Sequence, residues 1–245
     1  AFEKAGIMKA GAPCIIGPQT AEGLTAGVMD VFAEIAAERE APLYRHGIDW
    51  SYDVLPDRLV LHTPHTIYDL PKPNLVGDHQ YGNAATAALT LLTIGDHHPA
   101  LSLPLSAYDH GMTHAAWMGR LQKLTRGPLV ERLPSTTEIW IDGGHNDSCG
   151  MILGKQADHW AATDNRPLHV ILGMLNTKNP VEFAQYLLPK AASVHAITIP
   201  DQPLSLSADA LAEALHVPAA ASVDDAVAHI LAHAGPTPCR PPRRR

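Results

Sequence analysis

The sequence predicts an α/β protein whose second half is a Rossmann-like domain with a mostly parallel sheet. Two observations lead to this prediction. From about residue 137 onward, short strand-like and helix-like segments alternate, as they do in parallel sheets that carry helices on both faces. Near the start, a short apolar run at 13–17 is bounded by Pro and Gly and precedes a long amphipathic segment, which is typical of a buried strand followed by a helix.

The first half is predicted to combine helices with a small antiparallel meander. Apolar residues recur every three or four positions in 20–40, and Thr20 is a suitable residue to begin that helix. Three β-rich pieces follow at 50–55, 58–62 and 66–69. Because turn-forming sequences that contain proline separate these pieces, they are expected to pair with one another in order.

Two more helices are predicted before a domain boundary. One is the segment 83–93, which is rich in Ala and Leu, and the other is 99–112, although two prolines interrupt its apolar residues. A stretch that mixes Gly, Arg and Pro with β-forming residues comes next, so we place the boundary near Met118. Trp117 is expected to pack at this boundary.

The second half supplies the alternating pattern. The predicted strands are 137–142, 168–172 and 193–199, and the predicted helices are 147–162, 180–188, 208–215 and 223–234. The tail at 236–245 is rich in proline and ends in three arginines. A basic arm for nucleic acid is one interpretation, but in so acidic a chain we expect a disordered or non-native terminus.

Composition excludes several classes of protein. The chain has 245 residues and a net charge of -7, which argues against sequence-independent binding to nucleic-acid phosphates. No apolar stretch approaches the roughly 18 to 20 residues that cross a bilayer, and no secretory signal is visible. Cys14, Cys149 and Cys239 lie far apart, which suits a reducing compartment. We therefore expect a soluble cytoplasmic protein with no membrane partner.

The first segment whose residues are candidates for a functional site is the Glu-Lys-Ala-Gly-Ile sequence at 3–7. A Glu-Lys pair on a helix is ordinarily a solvated face. The alternative is that Lys4, kept neutral, captures CO2 and becomes a carbamate, whose oxygens suit Mg2+.

The second such segment lies at 78–83, just before the Ala-rich helix. Amide groups and a helix N-terminus could meet an anionic or purine ligand there. The alternative is that Asp78 or Asn83 simply caps the helix.

The third group consists of Gly-Arg-Leu-Gln at 119–122 and the apolar strand that ends in Asp142-Gly-Gly-His-Asn146. Open α/β sheets bind ligands at the carboxyl ends of their strands, so these polar residues are candidates for a binding site. The 15 histidines raise the alternative of a metal hydrolase. That alternative is disfavoured because there is no H-E-x-x-H sequence and the paired histidines lack partners at ligand spacing.

In order and spacing, these motifs resemble the dihydrofolate synthase/folylpolyglutamate synthase branch of the Mur ligase family. The shared patterns are E-K-A-G-I with K-x-G-x-P, then L-x-G-x-H-Q-x-x-N-A, W-x-G-R-x-Q and D-G-x-H-N. A Gly-Met turn follows a later strand. The residues that carry them are Glu3 to Ile7, Lys9, Gly11, Pro13, Leu75, Gly77, His79, Gln80, Asn83, Ala84, Trp117, Gly119, Arg120, Gln122, Asp142, Gly143, His145, Asn146, Gly173 and Met174.

The resemblance implies a fold and an activity. Residues 1–118 would be the later part of the Mur ligase central ATPase domain, and 119–245 the Rossmann-like C-terminal domain with an atypical tail from about 235. The implied reaction is ATP-dependent addition of L-glutamate to dihydropteroate or to a folate, through an acyl phosphate and with Mg2+.

The resemblance also implies roles for single residues. Lys4 would be the carbamylated lysine near the metal, which places it among the catalytic residues. Asn83, Arg120 and Asp142 would contact the nucleotide, and His145 would act on the side of the incoming glutamate.

The sequence departs from the family pattern in a way that affects the expected ligase activity. The family's phosphate-binding loop, of the type T-x-G-K-[GS]-S, is absent from these residues. We therefore expect a truncated chain that lacks an N-terminal half, exposes a sheet edge and has no activity alone. The alternative is a non-catalytic remnant, or a subunit of a split ligase that needs a separate chain with this loop.

Overall fold

A computed structural model describes residues 1–164 and 166–233. The chain divides into two compact units, Ala1–Gln122 and the residues from Lys123 onward. The predicted α/β class is confirmed, since helices surround both parallel and antiparallel sheets. Cys239 and the tail at 236–245, expected to be disordered or non-native, lie outside the described residues.

The first unit contains a parallel strand pair and an antiparallel meander. Its helices are α1 (Phe2–Ala5), α2 (Ala21–Thr25), α3 (Val28–Glu38), α4 (His79–His97) and α5 (Leu105–His114), with a 3-10 turn at Pro99–Leu101. Its strands are β1 (Cys14–Ile16), β2 (Leu43–Arg45), β3 (Ser51–Val54), β4 (Arg58–His62) and β5 (Ile67–Pro71).

Strands β1 and β2 run parallel, with Cys14 opposite Leu43. Helix α3 covers them, because its buried Phe32 and Ala36 join Ile16 in one apolar cluster. Burial of such side chains is the main favourable contribution to folding.

The predicted meander is confirmed. Strands β3, β4 and β5 pair antiparallel in that order. Leu59 and Leu61 of the central strand are completely buried in a cluster with Ala85, Ala88 and Leu89 of α4. Small alanine side chains allow the helix to lie close to the strands.

Two predicted helices are interrupted. The single helix expected at 20–40 is two helices, because Gly27 adopts the left-handed conformation (φ 72) between α2 and α3. The helix expected at 99–112 is a 3-10 turn followed by α5, which begins only after Pro104. The 3-10 turn ends at Ser102, where the chain is extended (ψ 135), and Pro104 disfavours helical geometry in Leu103, the residue before it.

The second unit alternates strands and helices. Its strands are β6 (Gln122–Leu124), β7 (Ile139–Ile141), β8 (His169–Leu172) and β9 (Ser193–Ala196). Its helices are α6 (Pro128–Arg132), α7 (Asp147–Thr163), α8 (Pro180–Ala184), α9 (Ala208–Leu215) and α10 (Val223–His233). Strands β8 and β9 are parallel, and β6 pairs with β7.

The main core of the second unit lies on one face of the β8–β9 pair. Leu172, Ala196, Phe183, Leu211 and other apolar residues from α7, α8 and α9 pack there. In the part of the chain that the structure describes, no helix is both long and apolar enough to span a membrane.

Candidate functional site

The carboxyl ends of β1 and β2 meet at one edge of the first unit, because the two strands are parallel. The carbonyl of Ile16 accepts hydrogen bonds from His46 N (3.0 Å) and Trp50 Nε1 (3.2 Å). The His46 ring lies 5.0 Å from the Trp50 ring and 5.4 Å from that of Tyr52, centroid to centroid. Burial lowers the pKa of His46, so this edge carries a neutral imidazole at neutral pH.

The loop that leaves β1 lies against the first turns of α4. An ideal Cβ on Gly17 would be 2.9 Å from Thr86 Oγ1, and one on Gly82 would be 2.9 Å from Pro18 Cγ. The same Cβ would be 3.2 Å from the hydroxyl of Tyr52. Glycine at both positions therefore permits this approach and brings the start of α4 to the carboxyl end of β1.

Asn83 lies near the start of α4 and is exposed. Its Nδ2 donates to Gln80 Oε1 at 3.1 Å, and Gln80 is only 5% exposed. The alternative of helix capping is wrong for both residues named for it. Asp78 occupies the N-cap position without a side-chain cap hydrogen bond, and Asn83 lies within the helix.

Arg120 follows α5 in a tight turn whose flanking residues, Gly119 (φ 67) and Leu121 (φ 40), have positive φ. Gln122 Oε1 accepts from the Gly119 backbone at 3.0 Å and stabilises the turn. The Arg120 guanidinium is exposed, and its Nη1 donates a long hydrogen bond to the Gly119 carbonyl at 3.5 Å. An arginine in this setting can bind an anionic group.

Two of the motif-bearing segments meet in the first unit. Leu121 is 4% exposed, and a Cβ on Gly77 would lie 3.3 Å from Leu121 Cδ1 and 2.7 Å from His79 Cε1. Gly77 has a φ of +108, which L side chains rarely adopt. The loop that precedes α4 and the turn that carries Arg120 are therefore packed against each other.

Trp117, expected to pack at the domain boundary, is 67% exposed, and the neighbouring Met118 is 85% exposed. The packing of Trp117 at that boundary stays a prediction.

Lys4 lies on α1, a single turn fixed to α3 by the buried Ala5. Arg39 of the segment that follows α3 donates to the carbonyls of Gly6 and Met8 and closes the turn. Lys4 itself is exposed and forms no ion pair with any described residue. A lysine is carbamylated through its neutral amine.

The described residues do not form a metal centre. Within 1–164 and 166–233, no group of three or more His, Cys, Asp and Glu side chains could hold an ion. A carbamate on Lys4 would provide oxygen from one ligand only, whereas Mg2+ in proteins is ordinarily held by one or two carboxylates together with substrate phosphates and several waters. The residues present therefore do not fit a Mg2+ site by themselves.

In the second unit, the loop from Asp142 to Asn146 connects β7 to α7. Asp142 Oδ1 accepts from Gly144 N at 2.7 Å, and Asn146 Oδ1 accepts from Cys149 N at 2.9 Å to cap α7. His145 Nδ1 lies 3.1 Å from the Gly143 carbonyl. Since a carbonyl oxygen only accepts, Nδ1 carries the hydrogen and Nε2 retains its lone pair when the ring is neutral.

Gly144 is required by close packing of this loop. A Cβ at that position would lie 2.9 Å from Asp142 Oδ1 and 2.9 Å from Cys149 Cβ. The Asp142 carboxylate therefore accepts the Gly144 N–H and holds the two adjacent glycines of the loop in place. The strand-end position expected of Asp142 and His145 from the sequence is confirmed.

His46 and Tyr52 were missed by the sequence analysis. Both follow β2, a strand of three residues that no periodicity distinguishes from the surrounding segment. The aromatic cluster at 44–52, with Trp50 at its centre, was the signal that could have indicated them.

No family model matches the sequence. Curated relatives include a probable dihydrofolate synthetase of Schizosaccharomyces pombe, 26% identical over 205 residues, which cover 80% of this chain and 43% of that protein. A folylpolyglutamate synthase of Lacticaseibacillus casei is 28% identical over 229 residues, which cover 88% of this chain and 47% of the relative. The family resemblance inferred from the motifs is confirmed by these relatives.

Solved structures agree in fold. Escherichia coli FolC in complex with DHPP and ADP superposes with a TM-score of 0.75 at 25% identity, over 94% of this chain and 50% of FolC. A bifunctional folylpolyglutamate synthase/dihydrofolate synthase with Mn, AMPPNP and L-glutamate bound gives 0.70 at 22% identity, over 94% and 50% of the two chains. The chain therefore spans about half the length of the proteins it matches.

Proposed function

We propose that this chain provides about half of an ATP-dependent ligase that joins L-glutamate to dihydropteroate or to a folate. The observation that carries the proposal is the contact between Gly77 and Leu121, which brings together two motif-bearing segments that are about 40 residues apart. Similarity to dihydrofolate and folylpolyglutamate synthases over most of the chain supports it.

The reaction has two steps. A carboxylate oxygen of the pterin-derived acid attacks the terminal phosphorus of ATP, and ADP leaves with the electrons of the broken P–O bond. The amine nitrogen of glutamate then attacks the acyl carbon, loses a proton and expels phosphate. Both steps require neutralisation of phosphate charge and orientation of two reactants.

The exposed residues of the first unit suit the nucleotide. Arg120 would bind phosphate oxygens, since among the described residues its guanidinium makes one long hydrogen bond, to the Gly119 carbonyl. Asn83, exposed near the start of α4, would donate to or accept from the nucleotide through its amide. His46 lies at the neighbouring strand ends and is uncharged, so it would not compete with Arg120 for the anion.

The loop of the second unit suits the second step. Asp142 would contact the nucleotide while it holds the Gly144 backbone in place. His145 has its Nδ1 hydrogen committed to the Gly143 carbonyl, which leaves Nε2 as the acceptor. This nitrogen could receive the proton that the attacking amine loses.

Lys4 as a carbamate remains part of the proposal, with one condition. Because the described residues leave Lys4 exposed and form no Mg2+ site, the other metal ligands and the cover over the lysine must come from additional polypeptide. Mg2+ would assist phosphate transfer when bound. We place the reaction in the cytoplasm, in keeping with the dispersed cysteines.

The alternative is a non-catalytic remnant, or one subunit of a split ligase. The test joins this chain to a polypeptide that bears the phosphate-binding loop of a relative, either as a fusion or as a separate chain. Glutamate-dependent release of ADP in the presence of dihydropteroate or a folate supports the proposal. If no combination of substrates produces ligation, the remnant is favoured.

Two matched pairs of variants sharpen this experiment. In the joined protein, Arg120→Ala and Asp142→Ala should each reduce the ligation rate by about tenfold or more, as loss of a transition-state contact does. Arg126→Ala and Asp209→Ala change exposed residues of the same types and should leave the rate unchanged. Each variant of a proposed site residue is compared with the control of the same residue type. If Arg126→Ala slows ligation as much as Arg120→Ala, or Asp209→Ala as much as Asp142→Ala, the assigned roles are contradicted.

A further inference from the structure

Histidines are concentrated on the face of the β8–β9 pair opposite the main core of the second unit. In the parallel register, His169 lies beside Ser193 and Ile171 beside His195. Side chains alternate along a strand, so all four lie on one face. His169 Nδ1 and Ser193 Oγ are 2.8 Å apart, which fixes that imidazole against the neighbouring strand.

Helix α10 packs on this face with little apolar support. Its buried Ala226 joins Ile197 and Ala220, with Ile171 at the margin, in a small cluster. By contrast, the opposite face of the sheet carries a large core of aromatic and branched side chains. The His229 ring of α10 lies 5.9 Å from the His195 ring, centroid to centroid, so imidazoles form part of the contact between helix and strand.

His195 is the least solvated of these imidazoles. It is 6% exposed, and its Nδ1 has no hydrogen-bond partner among the described residues. The neutral ring leaves one nitrogen without a hydrogen, which limits the cost of this burial. Protonation would place a hydrogen on both nitrogens and a positive charge in a site with an unmatched polar atom.

The charged groups around His195 are mostly other histidines. Strand β8 contributes His169, and α10 contributes His229, His233 and Asp225. The Asp225 carboxylate accepts a hydrogen bond from the Ala221 backbone N–H (2.9 Å) and lies 3.6 Å from His229 Nε2.

The other carboxylates of α10 and those of α9 do not compensate the charge of a protonated His195. Asp224 of α10 pairs with Arg132 of α6 at 2.8 Å, and α9, whose apolar side chains pack in the main core, carries only the exposed Asp209 and Glu213. One carboxylate therefore faces four imidazoles, and progressive protonation would add repulsion between α10 and the sheet.

We propose that α10 is an acid-sensitive latch: it remains docked on the β8–β9 face while His195 is neutral, and protonation of His195 releases it. Release would uncover Ile171 and Ile197. The device is independent of the proposed ligase activity, since none of its residues is assigned to the reaction.

The direction of the pH dependence follows from linkage. Burial first, and then the charges of His229 and His169, lower the pKa of His195 from its ordinary value of 6.5. His195 binds a proton more readily when α10 is released than when it is docked, so docking is fully stable above about pH 6.5 and weakens as the pH falls below it.

The test is hydrogen exchange of the whole chain, followed by mass spectrometry at about pH 7.5 and about pH 5.5, with rates corrected for the intrinsic pH dependence of exchange. We expect protection of α10 to fall about fivefold or more at the lower pH, while that of α7 changes by less than about twofold. Equal losses in both helices, or protection of α10 that does not depend on pH, would overturn the proposal.

A matched pair of variants identifies the responsible group. His195→Gln should remove most of the pH dependence of α10 protection, whereas His216→Asn, at the exposed end of α9, should retain it. Persistence of the full pH dependence in His195→Gln would assign it to another group and contradict the proposal. If His195→Gln fails to fold, an NMR titration of the wild-type His195 ring decides: a midpoint below 6.5 supports the latch, and one at or above 6.5 rejects it.

Discussion

Gly150 and Gly154 let α7 lie directly against the segment that begins with α8. A Cβ on Gly150 would be 2.2 Å from the Phe183 carbonyl oxygen, and one on Gly154 would be 2.8 Å from Tyr186 Cβ. The first of these contacts is with backbone, which a rotamer change cannot relieve. Position 150 therefore accepts only glycine without a shift of one helix.

We predict that Gly150→Ala lowers the free energy of unfolding of the second unit by about 1–3 kcal/mol, because the added methyl group overpacks the interface. The matched control is Gly111→Ala in α5, where a Cβ meets nothing within 4 Å. That change should be neutral or stabilise by up to about 1 kcal/mol, since Ala favours helix over Gly. Urea unfolding measures both, and equal effects would contradict the packing argument.

Lys4 can be tested in the joined protein described above. Lys4→Ala should abolish most of the ligation, and a small carboxylate such as acetate or formate should partly restore it, because it replaces the carbamate oxygens. Lys155→Ala alters an exposed lysine of α7 and should have no effect. A rate that does not change in Lys4→Ala would remove the carbamate from the account.

The candidate site residues differ in how far the sequence alone could identify them. Asp142 and His145 could be placed from the sequence because an apolar run leads directly to them. Arg120 and Asn83 lie in segments that the sequence singled out, 119–122 and 78–83, but only the family resemblance assigned them a role at the nucleotide. His46 depends on a three-residue strand and on contacts with Trp50 and Tyr52, which no local pattern reveals.

At the scale of elements, the bounds of strands and helices agree with the prediction where the sequence is strongly periodic. They differ where a turn interrupts the periodic segment. Strand β4 has the predicted bounds 58–62, because alternating burial and flanking turn residues both define it. The predicted helix 180–188 ends as α8 at Ala184, and the chain continues in turns stabilised by local hydrogen bonds. The break at Gly27 depends on a backbone conformation that sequence periodicity does not report.

Glu138 links three strands of the second unit. It lies just before β7 and accepts from Lys123 Nζ of β6 (2.6 Å) and from Trp140 Nε1 (3.1 Å), while Arg166, before β8, lies at 3.2 Å. The hydrogen bond from Lys123, followed by those from Trp140 and Arg166, lowers the pKa of Glu138 from 4.5 to about 2. The network therefore stabilises the native state only while Glu138 is ionised.

We predict that Glu138→Gln destabilises the second unit by about 1 kcal/mol at about pH 7, a modest value because the partners are partly exposed. The native pKa lies below the unfolded one, so this contribution is complete above about pH 4.5 and disappears as the pH falls toward 2. Urea unfolding should therefore show the difference between the two proteins shrinking below about pH 4.5 and vanishing only near pH 2. Glu131→Gln, in α6, is the exposed control, and a difference that persists in acid would contradict the assignment.

At the scale of the whole molecule, the first unit contains less sheet than its topology requires. In the described part of the chain, β1 and β2 pair only with each other. Parallel sheets are ordinarily larger and covered on both faces. Together with the coverage of about half of each relative, this supports the proposal that the ligase activity needs a second polypeptide segment that bears the phosphate-binding loop.

Isothermal titration calorimetry with ATP and Mg2+ tests this central claim most directly, on the chain alone and on the chain joined to a half that bears the phosphate-binding loop. Alone, the chain should bind with a dissociation constant weaker than about 1 mM. The joined protein should bind within the range of about 1 µM to 1 mM that is usual for enzyme substrates, and Arg120→Ala should weaken it. Tight binding by the chain alone, or no gain on joining the two halves, would contradict the account.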